Sequence, residues 1–375
     1  MRDVLRGFSG TGLPQEYLVR PVASGWEPGP WLANVGLLLV AVAVIRYAAH
    51  RSQSAVVLWL LMALNLLTTT ASGLTLRALY FAVGGSSFSL LFSLDFFEES
   101  LTMLLCRACS AATGAKPAAA AEGPGPDLQR HWGAVLGGLS SAASIFKGLS
   151  IAGLPLSDSA SARLLSVPCS LAVRAAGLGV PCDRASPLRM ALILAGSIFL
   201  VLASRVPPVQ PGHAGEPQAA GASYQLCCGL ALTSVVLSTV AGQLKEYLIH
   251  VRGATDLAVQ RRTSQATALC SGLGLGLCVL RSGPPGWLAC WREVLPIMAL
   301  AALSKASDEL AGIKLIAVSD YTCKKLVGMA KVLPALLFET TSFYIFKDTA
   351  TGRPWGLHAT LVLLSVGVLG CARLC

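Results

Sequence analysis

The chain has 375 residues, of which 54% are hydrophobic and 13% charged, and a formal net charge of +10. That balance excludes an ordinary soluble domain. Lys and Arg lie between or inside apolar runs instead of clustering on one solvated stretch, so the charge does not read as nucleic-acid binding.

Residues 1–30 are a polar, Pro/Gly-containing tail, which places the first apolar run too far in for an ordinary cleaved signal peptide. After it, spans are predicted over 31–50, 55–80, 86–112, 132–153, 159–178, 187–205, 221–250, 264–282, 289–317, 320–346 and 355–373. Each can cross a hydrocarbon core of roughly 30 Å as a helix, and the bilayer leaves no alternative that satisfies the backbone. The class expected is an all-α polytopic protein in a lipid bilayer. The stretch "RVPPVQPGHAGEPQAAGAS" contains a linker at 206–220 that separates a first unit, 55–205, from a second, 221–375. A second Ala/Pro/Gly-rich stretch, "ATGAKPAAAAEGPGPDLQR", joins two spans of the first unit.

Alternate loops collect Arg46 and Arg51, Lys116 and Arg130, Arg184 and Arg189, then Arg252, Arg261 and Arg262. By the positive-inside rule these loops face the cytosol, with the N-terminus across the membrane and the C-terminus cytosolic. Arg281, Lys347 and Arg353 fall in the opposite loops and weaken the contrast. Most of the 12 cysteines, Cys227, Cys228, Cys270 and Cys278 among them, fall inside predicted spans and read as small core residues.

The stretch "LDFFEESLTMLLC" sets three carboxylates in an apolar run. Asp95, Glu98, Glu99 and Thr102 recur at helical spacing on one stripe. Either the stripe faces a polar interior, or the helix lies in the membrane interface. Lys147, Arg163, Lys245, Lys305, Lys314, Lys324, Lys325 and Lys331 lie at comparable depths, and a surplus of buried cations suits an anionic, phosphorylated solute. Long side chains near span ends can instead snorkel to the headgroups, and Lys305 and Lys314 are the first candidates for that. No phosphate loop, zinc pattern or His-based triad occurs, so no catalysis, metal or cofactor is expected. "GLGLG" at 272–276 lies inside an apolar span, where Gly272 and Gly276 have the spacing of close helix packing.

"FFEESLTMLLC" resembles the second core helix of the nucleotide-sugar transporters of the drug/metabolite transporter superfamily, with Glu99 at the family's Glu and Thr102 in place of its Lys. "TTTASGLTLRA" is similar to the end of the first core helix, with Arg77 at the Arg position. "STVAGQLKEYLIH" resembles the end of core helix six, with Gly242 and Glu246 at the Gly and Glu positions. "SDYTCKKLVGMAKVLP" resembles the opening of core helix nine at Tyr321, Leu326, Gly328 and Ala330, and "DSASARLLSVPCSL" can be laid on core helix four from Asp158.

The resemblance implies a ten-helix core of two inverted five-helix halves, with 31–50 as an extra N-terminal span. It also implies exchange of a nucleotide-sugar for a nucleoside monophosphate in a Golgi or related endomembrane, and a homodimer is admitted. Two lysines that touch phosphate in the family align with Cys169 and Val327 here, a tyrosine with Ser166, and a paired asparagine with Lys147 and Gly148. Gln260, Arg261 and Thr263 replace the polar residues that open core helix seven. Arg163 and Lys324 stand near the two vacated positions. The implied phosphate contacts are therefore Lys147, Arg163 and Lys324, with Ser166, Cys169, Arg261, Thr263 and Tyr321 around them. Asp95, Glu98, Glu99 and Glu246 would balance charge. Rival readings are a carrier of another organic phosphate, a carrier of a cationic solute held by the three carboxylates, and a membrane protein that has kept the fold and lost transport.

Overall fold

The computed structural model describes residues 28–50, 55–83, 87–112, 126–154, 158, 161–176, 187–205, 217–319, 321–330, 332–345 and 355–374. Arg51, Lys116, Arg184, Lys331, Lys347 and Arg353 lie outside the described residues, as do the side chains of Arg77, Arg130, Arg189 and Leu326. Among the described residues all regular structure is helical. The helices are α1 Pro28–His50, α2 Ala55–Val83, α3 Phe88–Ala112, α4 Pro126–Gly153, α5 Ser166–Ala175, α6 Pro187–Arg205, α7 Pro217–His250, α8 Asp256–Ser282, α9 Trp291–Val318, α10 Tyr321–Ala330, α11 Val332–Tyr344 and α12 Leu357–Leu374. Two 3-10 turns, Arg163–Leu165 and Gly286–Cys290, lead into α5 and α9.

Among the described residues five segments are long and apolar enough to cross a membrane: Trp31–Ala48, Ala55–Tyr80, His131–Ile151, Gln225–His250 and Asp256–Ser282. The chain is thus an all-helical protein compatible with an integral membrane protein. The burial pattern agrees. On α8 the polar residues Gln260, Thr263, Ser264, Thr267 and Ser271 are buried, while Leu269, Leu273, Leu277 and Leu280 are exposed. A helix that hides its hydroxyls and shows its leucines matches lipid outside and a polar core inside.

Two departures from the predicted spans bear on the site. α8 begins at Asp256 instead of 264, because Thr255 takes an extended N-cap conformation and its carbonyl accepts the first helical bond, from Val259 N–H. Arg261 is therefore a helical residue and not part of a loop. Within the predicted span 320–346, Tyr321–Ala330 and Val332–Tyr344 are helical, as α10 and α11. The segment that carries α5 is helical at Ser161 and Ala162, 3-10 over Arg163–Leu165 and α-helical again from Ser166.

Packing follows a definite pairing. α3 lies on α8, α2 on α9, α4 on α7 and α6 on α12, and α4 also meets α8 as α3 meets α9. α1 packs against α9 and α2, where Ser304 Oγ donates to Asn34 Oδ1. The close approach of α3 and α8 is made at Gly274, where a Cβ would fall 2.4 Å from Phe92, and not at the GxxxG pair, since Gly276 has nothing within 4 Å. Of the cysteines read as core residues Cys227 is buried, whereas Cys228, Cys270 and Cys278 are only partly so; Cys106, Cys109 and Cys323 are buried as well.

Candidate functional site

The acidic stripe faces inward. Asp95, Glu98, Glu99 and Thr102 are buried, while Phe96, Phe97 and Leu104 on the opposite side of α3 are exposed. Burial of the carboxylates removes the interfacial-helix alternative for this segment. Asp95 accepts from Ser271 Oγ on α8. Glu99 reaches a cavity of about 190 Å³ at the centre of the bundle, lined from α3, α4, α5, α7, α8, α9 and α10.

Charge dominates this cavity. Lys147, Arg163, Lys245, Lys305, Lys324 and Lys325 line it against Glu99, Asp308 and Glu309. Some of the cations are neutralised: Lys305 Nζ donates to Glu309 Oε1 at 2.8 Å, and Lys245 lies 3.8 Å from Glu309 Oε2 while donating to Gln260 Oε1 at 3.0 Å. Asp308 is held by Asn65 Nδ2 at 2.9 Å and by the Thr69 hydroxyl of α2. For Lys147, Arg163, Lys324 and Lys325, no carboxylate lies within ion-pair distance among the described residues. Lys147 sits instead within electrostatic range of two other cations, Arg163 and Lys305, with Glu98 and Asp308 as the nearest opposing charges. Lys324 runs across Gly312 of α9, whose Cβ would lie 2.3 Å from Nζ, and Lys325 Nζ stands 4.8 Å above the Tyr321 ring.

Neutral groups complete the lining. The Ser166 hydroxyl is buried with no hydrogen-bond partner among the described residues. Thr263 Oγ1 donates to the Val259 carbonyl at 2.9 Å, and Tyr321 OH donates to the Ser238 carbonyl at 2.9 Å. Lys147, Arg163, Lys324 and Lys325 are half-buried, and like charges gathered in a low-dielectric setting repel one another.

Of the residues singled out in the sequence, Lys147, Arg163, Ser166, Thr263, Tyr321 and Lys324 meet at this cavity together with Glu99. Cys169 and Arg261 are not among its lining residues, since α5 turns Ser166 inward and α8 presents Thr263 instead of Arg261. Glu246 lies beside it in a bidentate pair with Arg174, at 2.8 and 2.9 Å, with Gln243 bridging Arg174 to Ser170. Lys305 is a cavity residue and not a headgroup anchor, whereas Lys314 pairs with Asp256 at 2.6 Å. Asp308 and Glu309 escaped the sequence reading. Their spacing from Lys305, at i+3 and i+4 on one helix, is the signal that could have found them.

No protein-family model matches the chain, and no curated protein does. Among solved structures 27 chains match. One, described in print as "Crystal structure of protein", is 19% identical, with a TM-score of 0.52 over 86% of this chain and 98% of that one. At that identity the likeness is one of fold.

Proposed function

We propose that this protein carries an organic anion across a membrane by alternating access, and in the finer reading exchanges a nucleotide-sugar for a nucleoside monophosphate in a Golgi or related endomembrane. The observation that carries the reading is the set of Lys147, Arg163, Lys324 and Lys325, cavity cations with no carboxylate in pairing distance among the described residues. A phosphate group supplies the missing charge and several acceptor oxygens at once.

The helix pairing supports two inverted five-helix halves with α1 as the extra span. Take α2, α3, α4, the α5 segment and α6 as one half, and α7, α8, α9, the α10–α11 segment and α12 as the other. Exchanging the halves turns α2 on α9 into α7 on α4, and α4 on α8 into α9 on α3, while α3 on α8 and α6 on α12 map onto themselves; all of these pairs occur. The fourth segment of each half offers cations to the cavity, Arg163 from the 3-10 turn before α5 in one and Lys324 with Lys325 from α10 in the other. Carriers built from two inverted halves bind their cargo at the interface between them. The cavity of about 190 Å³ is smaller than the roughly 300–1,000 Å³ of pockets for drug-sized ligands, so a nucleotide-sugar would require a wider conformation than this one.

Proteoliposomes loaded with UMP or CMP and assayed for uptake of labelled nucleotide-sugars test the reading. Uptake that depends on internal monophosphate supports exchange. Uptake of inorganic phosphate or triose phosphate alone would move the cargo to another organic phosphate. No anion uptake by folded protein would reject transport of an anion.

A further inference from the structure

Anion binding by the cations leaves the acidic face of α3 without a part to play. Asp95, Glu98 and Glu99 are each more than nine-tenths buried, and no Lys or Arg lies within ion-pair distance of any of them among the described residues. Their surroundings are hydroxyls. Ser271 of α8 donates to Asp95 with Ser141 and Ser144 of α4 beside it, and Ser264 of α8 lies beside Glu99. Among the described residues Asp95 Oδ1, Glu99 Oε2 and the Tyr80 hydroxyl of α2 are buried with no hydrogen-bond partner, and Tyr80 lies within electrostatic range of Glu98. The charged groups that face the cluster are Lys147 from α4, Lys245 from α7, and Lys305 and Glu309 from α9. Lys305 and Lys245 are both drawn to Glu309.

A metal ion would need several of these oxygens on one point, and among the described residues no three acidic, Cys or His side chains are so placed. A proton needs one oxygen. From this geometry we infer that the α3 face is a proton-binding site, with Glu99 as the carboxyl that exchanges its proton with the central cavity, and that proton and anion bind the protein together.

The chemistry of coupling is direct. An ionised Glu99 presents negative charge to the cavity that an anion must enter. A proton taken from cavity water onto Glu99 removes that repulsion and turns the side chain into a donor. By reciprocity, an anion resting on the cations favours the proton on Glu99 to the same degree. Asp95 and Glu98 sit deeper on the same face and give the proton further places to rest within the buried stripe. The anion half of this inference rests on the transport reading, whereas the proton half stands without it.

The test is infrared difference spectroscopy of the full chain in liposomes as pH is stepped, with UMP binding measured on the same samples. The wild type is expected to show a carboxylic-acid carbonyl band that titrates, is lost in Glu99→Gln, and persists in Asp256→Asn. UMP affinity is expected to fall about tenfold or more from acidic to alkaline pH in the wild type, and to lose that dependence in Glu99→Gln. No protonated-carboxyl band in the wild type, or an unchanged band in Glu99→Gln, overturns the proton site. A band with UMP binding that ignores pH overturns the coupling. A band without binding of UMP or inorganic phosphate upholds the proton site and rejects the anion reading. Should Glu99→Gln fail to fold, Ser264→Ala replaces it, because losing the neighbouring hydroxyl must shift the same band if Glu99 carries it.

Discussion

Tyr321 and Gly242 meet where a side chain on the second residue has no room: a Cβ built on Gly242 would lie 1.9 Å from Tyr321 Cε2 and 2.6 Å from its hydroxyl oxygen. The ring is held there by the bond from its hydroxyl to the Ser238 carbonyl at 2.9 Å, one turn before Gly242 on α7. Gly242→Ala must push the ring, and with it the opening turn of α10 that carries Lys324 and Lys325. The expected cost is about 1–3 kcal/mol of stability, read as a fall in thermal midpoint in detergent, with loss of anion binding. Tyr321→Phe keeps the ring and loses one hydrogen bond, so about 1 kcal/mol is expected.

Arg174 and Glu246 join α5 to α7 through two bonds of 2.8 and 2.9 Å, and the Glu246 side chain is 2% exposed. Arg174→Ala takes both of these bonds from a buried carboxylate, which is expected to cost about 3 kcal/mol. Replacing both residues with Gln removes the pair without stranding a charge and should recover most of the loss. Unfolding of the two single variants and the double variant measures the coupling, and an additive result would mean that the pair contributes nothing of its own.

The inward stripe of α3 was legible in sequence because three carboxylates at helical spacing, surrounded by Leu and Phe, can face only one way in a bilayer. Lys147, Arg163 and Lys324 were legible among eight cations inside predicted spans, and the family resemblance singled out those three. What sequence did not give is rotation and partner. Cys169 follows Ser166 by less than one full turn, yet only Ser166 faces the cavity. Whether Lys305 snorkels or pairs depends on Glu309, one turn further along α9. The 3-10 turn at Arg163–Leu165 also escaped, since hydropathy reads straight through it.

Asn65 and Asp308 tie α2 to α9 at 2.9 Å, with the Thr69 hydroxyl on the same carboxylate. Asp308 also lines the cavity, so its orientation sets part of the field around the cations. Asn65→Leu removes a buried donor and is expected to cost about 1–3 kcal/mol. Thr69→Val in the same background should add less than its cost alone, because the two donors share one acceptor. Thermal unfolding of the three variants gives the answer, and full additivity would contradict a shared network.

Gly312 offers a way to move a cavity cation without removing it. A Cβ there would lie 2.3 Å from Lys324 Nζ and 2.6 Å from Cε. Because the obstacle is the far end of a flexible side chain, Gly312→Ala should be tolerated in stability while Lys324 shifts off α9. If Lys324 contacts the anion, Gly312→Ala and Lys324→Gln should each weaken binding by about tenfold to a hundredfold, the range of one charge-assisted hydrogen bond of about 1.5–3 kcal/mol, and the double variant should be no weaker than Lys324→Gln. Lys314→Gln, which removes the partner of Asp256 at 2.6 Å outside the cavity, should lower stability without a comparable loss of binding. Equal losses from Lys324→Gln and Lys314→Gln would show that net charge, and not the cavity, governs the interaction.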